Sequence, residues 1–413
     1  MSASEHRKDA DIQTALPESL SWQSRPQHAD LAPLPGYPAV YLLLTDQQVP
    51  IQLGTTQHLR RLAISRLTDL EQVSRGKADL AEIARGIRWR EVHSAFEGRW
   101  WYYRLARQMY PKRYRHLISF GPAWFLRVDW QQPIPELTIT NRIWCEPGEY
   151  LGPWLTHDTC QQALTGLWDL FDLCRYPEQV RRAPHGQSCA YAEMGRCDAP
   201  CDGSAPFENY QARCRAAWSF TCGNHQEWLQ AAERKMNAAA AAQRFEEAGQ
   251  VKQQLDFVAK WQKSWAPALR RSEQMNDLFV IPVTRRRSWK LFLFRQGCLT
   301  AGPVMTQRRL PGALTIWLSQ ELARPLEDIE PRVRMEQTWL VTHFCNSHEG
   351  DASFLGALGS GRVPEGLEQK FRDFLTQRRA MRAPRDDATD DAQSLNEGPR
   401  RHDSPGKSHP EGK

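Results

Sequence analysis

The sequence has no apolar run near the ~20 residues that a membrane-spanning helix needs. Its longest runs, such as Tyr41–Leu44 and Leu291–Phe294, are strand-sized. The first residues, MSASEHRKDADIQ, have no apolar h-region, so no secretory signal is expected. A cytoplasmic chain with reduced thiols is the expectation, and no membrane partner. Charge of one sign is scarcely in excess. Lys+Arg 54 against Asp+Glu 48 gives +6, which permits a nucleic-acid partner without demanding one. There is no internal repeat. What is present is ordinary for a globular protein: 41% hydrophobic and 25% charged residues, so neither a fibrous nor a wholly disordered chain. The 413 residues imply two or three domains at about 150 residues each. Two supplies stand out, 16 Trp and 10 Cys. Reduced Cys point to buried thiols or a metal site, not to a disulfide framework.

Read along the chain, residues 1–32 are polar, mixed in charge and aperiodic, and predict a disordered leader. AVYLLL (Ala39–Leu44) predicts a buried strand and Val49–Leu53 a second, ended by Gly54. Thr55 and Thr56 are candidate N-caps for a helix through HLRRLAISRLTDLEQV. Another helix is expected from Glu91 to Met109, ended by Pro111. Trp124–Trp130, Leu137–Asn141 and Arg142–Cys145 read as strands, and Thr156 or Asp158 can cap a helix reaching Cys174. An Ala- and Gln-rich stretch over 226–262, interrupted near Gln243–Phe245, predicts a helical hairpin. Over 270–382, Leu278–Val283, Trp289–Phe294 and Cys298–Met305 predict a β-meander with Gly297 in a turn, followed by helices at Leu314–Ala323 and Glu365–Arg382. His343, His348 and Asp351 read as a solvated loop. The tail 383–413 is expected to be disordered. The fold class is thus α+β and multidomain.

Six of the ten Cys fall between Cys174 and Cys222. Cys174, Cys189, Cys197 and Cys201 have the spacing C-x14-C-x7-C-x3-C within a Gly- and Pro-punctuated segment. Four thiolates can hold zinc or an iron–sulfur cluster. The two C-x2-C knuckles of a zinc ribbon are missing, and four buried small hydrophobes are the other reading. Cys145, Cys160, Cys214, Cys222, Cys298 and Cys345 show no such pattern and read as core residues.

At these residues a family comes into view. SCAYAEMGRCDAPCDG resembles the cysteine segment of the UvrC family of the excinuclease ABC system. PELTITNRIWCEPGEYLGPW resembles the strand pair before it, and PAVYLLLTDQQVPIQLG the first strands of that family's GIY-YIG nuclease domain. MNAAAAAQRFEEAGQVKQQLD resembles its UVR motif. The four blocks come in the family's order, from about Pro38 to Met305. The resemblance implies a GIY-YIG-like small mixed α/β domain over 33–116. A strand pair and cysteine-rich segment over 117–225, a UVR hairpin over 226–262 and a C-terminal α/β part over 270–382 succeed it. It further implies the incision component of nucleotide excision repair, a 4Fe-4S cluster on Cys174, Cys189, Cys197 and Cys201 with zinc as the alternative, and DNA and a UvrB-type protein as partners. Met236, Phe245, Glu246, Glu247 and Ala248 would be the partner-binding residues.

The nuclease chemistry carries over poorly. GIY-YIG catalysis needs a Tyr or water-activated nucleophile, a Glu holding a divalent metal, and cations for the developing charge. The first family Tyr matches Tyr41. The second falls on Gln52, the Lys on Thr55, the catalytic Arg on Leu62, the later Tyr on Arg66 and the metal-binding Glu on Tyr102. Glu97 stands five positions earlier, about 140° around a helix from Tyr102, and cannot replace that carboxylate. The expected site is therefore degenerate, with Tyr41 as a remnant and a divalent metal not expected. No Asp-rich strand set for the family's ribonuclease-H-like nuclease and no helix-hairpin-helix pair is visible in the sequence after the meander.

Basic residues cluster at Arg60, Arg61 and Arg66; at Arg104, Arg107, Lys112, Arg113 and Arg115; at Arg285, Arg286 and Arg287; and at Arg308 and Arg309. Guanidinium forks suit phosphates, and the first two clusters, through Lys112 and Arg113, are the expected DNA contacts. The expected function is a UvrC-like repair protein that binds DNA without cutting. The rivals are an active, diverged structure-specific endonuclease making a 3′-type incision, and an iron–sulfur regulatory or interaction protein outside repair.

Overall fold

The computed structural model describes residues 12–68, 79–132, 134–195, 197–283, 287–359 and 362–382. Among them are three four-stranded sheets in which every pairing is antiparallel. The first contains β1 (Glu18–Ser21), β2 (Ala39–Leu44), β3 (Pro50–Thr56) and β4 (Gly86–Glu91) in the order β1-β4-β2-β3. Strand β2 is central and buried on both faces. Its side chains alternate, as a pleated strand requires. Ala39, Tyr41 and Leu43 pack toward α1 (Leu59–Leu67), while Val40, Leu42 and Leu44 enter a larger core with α2 (Ala95–Met109).

The local signals differ from the sequence reading in three ways. Residues 12–32 are not a disordered leader. Leu16 and Leu31 are fully buried, and β1 pairs with β4 from Glu18↔Trp89 to Ser21↔Gly86. Thr55 and Thr56 extend β3, and the cap of α1 is His58, whose Nδ1 accepts from the Arg61 N–H at 3.2 Å. The rest of the predicted helix, from Asp69, lies outside the described residues. Helix α2 begins at Ala95, because GIRWRE alternates and is consumed as β4; Ser94 caps it by accepting from the Glu97 N–H at 3.1 Å.

The second sheet holds β5 (Trp124–Val128), β6 (Thr138–Thr140), β7 (Glu149–Trp154) and β8 (Arg270–Arg271), ordered β6-β5-β7-β8. Helices α3 (His157–Phe171) and α4 (Phe207–Thr221) cover it, and Thr156 caps α3 as expected. Arg142–Cys145 is a turn and not a strand. Trp144 adopts φ +71 there, and its Nε1 donates to Thr338 Oγ1 at 3.1 Å. The expected hairpin is present as α5 (Gln226–Ala241) and α6 (Phe245–Lys260), turning at Gln243 with φ +57. Its base packs into this second core through Trp228, Phe257, Val258 and Trp261.

The third sheet, β11-β10-β9-β12, comprises β9 (Asn276–Pro282), β10 (Ser288–Arg295), β11 (Cys298–Thr306) and β12 (Phe354–Ala357). The meander turns at Gln296-Gly297, where both residues have positive φ. Helices α7 (Leu310–Ala323), α8 (Pro331–Cys345) and α9 (Leu367–Arg382) complete it. The His343 to Asp351 stretch is not a solvated loop. His343 lies in the last turn of α8 with Nε2 3.2 Å from the Gly121 carbonyl, and His348–Asp351 is a helical turn.

The C-terminal part is not a separate unit. Phe96 of α2 sits among Phe292 at 5.0 Å, Phe344 at 4.3 Å and Phe279 at 6.3 Å. One core therefore joins the first sheet, the third sheet and α8. A buried polar strut reinforces it. Glu336 of α8, fully buried, accepts from the hydroxyls of Tyr103 at 2.8 Å and Tyr114 at 2.6 Å. The 1–11 segment, Arg285, Arg286 and the 383–413 tail lie outside the described residues.

Candidate functional site

Tyr41 is 3% exposed, and its hydroxyl presses against the backbone of Gly54, directly across the β2–β3 ladder. A Cβ at Gly54 would stand 2.5 Å from that oxygen, so this approach needs glycine. Burial raises the Tyr41 hydroxyl above the ordinary tyrosine range. Arg66 opposes that shift and Tyr102 adds to it. Arg66 and Tyr102 are thus near enough to Tyr41 to act on its hydroxyl. Gln52, at the second family Tyr, has its buried Oε1 unpartnered among the described residues.

Glu97 is elsewhere and fully engaged. It is 3% exposed, accepts from the His93 N–H at 2.8 Å and pairs with Lys290 at 3.3 Å. Ser94-x-x-Glu97 is a capping-box spacing, so its structural task was readable in the sequence. It has no free oxygen pair to offer a cation.

The basic clusters are less uniform than their spacing suggests. Arg60 and Arg61 are exposed beside a shallow depression with His28 and His58, and Arg60 Nε donates to the Leu34 carbonyl at 2.5 Å. Arg66 is half-buried and does not line that depression, so the three are not one patch. Arg104 and Arg107 line a cleft of ≈ 1260 Å³ between α2, α8 and β11. There Arg104 stacks over Trp100 at 4.9 Å and Trp101 at 4.8 Å, and Arg107 pairs with Glu330. Arg90 covers Trp101 as well, at 4.3 Å, a partner that sequence spacing did not suggest. Arg115 pairs with Glu336 at 3.3 Å. Lys112 and Arg113 are exposed beyond the end of α2.

Three of the four spaced cysteines share a cavity. Cys174, Cys189 and Cys197 line one cavity of ≈ 630 Å³. Arg175 over Tyr191 at 4.7 Å, and the Tyr176–Tyr191 ring pair at 6.1 Å, hold the Cys189 turn against the Cys174 segment. Cys201 is buried behind, its Sγ donating to the Gln187 carbonyl at 3.4 Å and its own carbonyl accepting from the Gly186 N–H at 2.7 Å. Burial pushes the Cys174 thiol up to about 11, and the other three sulfurs add to this although the Tyr176 N–H opposes it. Burial likewise raises Cys197 and Cys201. Four thiols in one segment are in kind a donor set for a soft metal centre, although Arg213 acts on Cys197 and Arg175 and Lys235 share the cavity. Among the described residues, however, no three His, Cys, Asp or Glu stand at metal-binding separation. The donors fit in kind and neighbourhood, and the loop would have to close for them to ligate. Of the other cysteines, Cys160, Cys214 and Cys298 are buried as expected, while Cys222 is exposed and not a core residue.

The hairpin carries its partner-type residues at the far end. Phe245 is 71% exposed and Glu246 is exposed, whereas Glu247, Ala248 and Met236 are half-buried.

No helix among the described residues is long and apolar enough to cross a membrane. Residues 123–220, which hold β5, β6 and β7 of the second sheet with α3, the cysteine segment and most of α4, match the family described as UvrC/Cho excinuclease, middle domain. The UvrABC system protein C of Geotalea daltonii is 31% identical over 142 residues, 33% of this chain and 23% of that protein. That of Thermus thermophilus is 29% identical over 265 residues, 62% of this chain and 42% of that protein. That of Nitratidesulfovibrio vulgaris is 23% identical over 313 residues, 74% of this chain and 45% of that protein. The chain spans less than half the length of each of these relatives. No solved structure matches. With its middle unit matched by that family and its sequence related over as much as 74% of its length, the chain is UvrC-like.

Proposed function

We propose that this chain is a DNA-binding, UvrC-like protein of nucleotide excision repair whose GIY-YIG-type site is degenerate and does not cut. The observation that carries the reading is the setting of Tyr41 and Glu97: Tyr41 is buried against Gly54, Tyr102 stands where the resemblance puts the metal carboxylate, and Glu97 on the same helix is bound by Lys290 and the His93 N–H. Metal-assisted phosphodiester cleavage needs a cation fixed at the scissile phosphate, and only a carboxylate or similar hard ligand fixes one. Tyr102 supplies neither the charge nor the ligand, and Glu97 is spent on Lys290 and the His93 N–H. A sheet of antiparallel strands with Tyr41 and Gly54 paired across a hairpin supports a GIY-YIG-like origin for the fold.

DNA contact falls to the exposed cations, Arg60, Arg61, Lys112 and Arg113, while Arg104 and Arg107 are engaged within the protein. The exposed Phe245 at the tip of a two-helix hairpin supports a UvrB-type partner bearing a like hairpin. Cys174, Cys189, Cys197 and Cys201 would hold a 4Fe-4S cluster, or zinc. A bound cluster supplies a redox centre and a rigid knot for the cysteine loop. The same sample tests both halves of the reading. Lesion-bearing duplex is titrated with the full chain in magnesium, binding is read by anisotropy and strand integrity on a denaturing gel. Salt-sensitive binding with intact strands is expected. Absence of binding at low salt overturns the repair assignment.

A further inference from the structure

We infer that the cleft between α2, α8 and β11 is a binding site for a nucleotide unit, with the base on Arg104 and the phosphate at Arg107 and Arg332. The local sequence builds its floor. Long helical side chains lean toward the helix N-terminus, so in WWYYRLARQ the Arg104 side chain falls on the residues three and four positions before it. Its guanidinium lies over Trp100 at 4.9 Å and Trp101 at 4.8 Å, and Arg90 reaches Trp101 from β4 at 4.3 Å. Trp100 is 4% exposed and fixed in the core, whereas Arg104 is exposed in the cleft. The indoles thus hold in place a planar cation that solvent still reaches.

Charge favours an anion there. The guanidiniums of Arg90, Arg104, Arg107 and Arg332 line the cleft, against the carboxylates of Glu327 and Glu330. Arg90 donates to the uncharged carbonyls of Thr14 and Ala15. Burial holds Arg104 below the usual arginine range; Glu327 opposes this and Arg90 adds to it. Arg107 spends one terminal nitrogen on Glu330 and Arg332 its Nε on Glu336, so each fork keeps N–H donors for a phosphate. A nucleotide combines the two complements, a π face that stacks on a guanidinium plane and a phosphate that balances the cations. At ≈ 1260 Å³ the cleft exceeds the roughly 300–1,000 Å³ of ordinary ligand pockets, so it has room for the unit as it stands. A duplex hides its base faces within its own stack. Duplex contact therefore stays with Arg60, Arg61, Lys112 and Arg113, and the cleft takes a free nucleotide or an unpaired base.

Isothermal titration calorimetry of the full chain at low salt tests this, with dAMP, deoxyadenosine, inorganic phosphate and a short oligodeoxyadenylate as probes. The unit that carries both base and phosphate should bind about tenfold or more tightly than phosphate or deoxyadenosine alone. Arg104→Ala should lose about tenfold of that affinity. Arg104→Lys keeps the charge and loses the plane, so it should leave phosphate binding unchanged and abolish the preference for the base. The unfolding midpoint of each variant shows that it is folded. Arg104-dependent binding of dAMP supports the site and names a free nucleotide as its ligand. Arg104-dependent binding of the oligonucleotide without dAMP supports it and names an unpaired strand. Phosphate binding as tightly as dAMP, nucleotide binding that survives Arg104→Ala, or no binding of dAMP or oligonucleotide at millimolar concentration overturns it.

Discussion

The strut at Glu336 gives the sharpest stability test, because its neighbours determine its magnitude. The carboxylate is fully buried and receives two tyrosine hydroxyls, from Tyr103 on α2 and Tyr114 just after it, at 2.8 and 2.6 Å. Arg115 and Arg332 approach at 3.3 and 3.4 Å, but their side chains are 48% and 43% exposed, so water screens much of their contribution. Glu336→Ala orphans two buried hydroxyls, at about 1–3 kcal/mol each, and opens a cavity. A loss of about 4 kcal/mol is expected. Glu336→Gln keeps one acceptor oxygen and should lose about half as much. Urea unfolding followed by tryptophan fluorescence reads this directly. Trp100 and Trp339 lie in the same core, so probes from the first and third sheets should shift together. A Glu336→Ala protein within about 1 kcal/mol of wild type would refute the strut. Separate transitions for the two sheets in wild type would refute the shared core.

Three further outcomes rest on single contacts. Gly166→Ala places a Cβ inside the ring of Phe257, which Trp261 and Trp265 confine at 6.1 and 6.0 Å, and should cost about 1–3 kcal/mol and loosen the hairpin base to proteolysis. Lys112→Glu/Arg113→Glu should weaken DNA binding and flatten the log–log salt slope by about 1.8, whereas Arg104→Ala should lower stability by about 1 kcal/mol and leave the slope unchanged. At alkaline pH the buried tyrosines set the sign. Burial, aided by Glu336, raises Tyr103 and Tyr114 above the ordinary value of 10.0. Above pH 10 the unfolded chain releases those protons and the folded chain keeps them. Stability is therefore full below that pH and falls as pH rises toward the folded values, and Tyr103→Phe should shallow the fall in a pH series of urea midpoints.

The sequence disclosed elements where a local signal was strong and unopposed. AVYLLL, the Gln296-Gly297 turn, the Thr156 cap and the Ala-rich hairpin each pair a clear periodicity with a clear stop. It misled where tertiary pairing overrode polarity. Residues 18–21 look like leader but complete a sheet edge, and Glu91, read as the start of a helix, is the last residue of β4, which pairs with β2. Helix α8 escaped notice because it is buried on nearly every face and so shows no stripe, although Pro331 marks its first turn. The site was legible as positions but not as partners. Arg66 and Tyr102 act on Tyr41, and Cys174, Cys189 and Cys197 line one cavity, but among the described residues no three donors stand at metal-binding separation. Arg104 on Trp100 and Trp101 is the i−4 and i−3 spacing of one helix, but that Arg107 meets Glu330 and that Glu97 meets Lys290 depends on residues up to 223 positions away. No spacing rule reaches so far.

The central claim is that the Tyr41 pocket no longer cuts. Single-turnover incubation of end-labelled, lesion-bearing duplex with excess full chain and manganese, beside the Tyr41→Phe variant, measures it most directly. Bound and uncut strands are expected from both proteins. Metal-dependent incision by the wild type that Tyr41→Phe abolishes would contradict the claim.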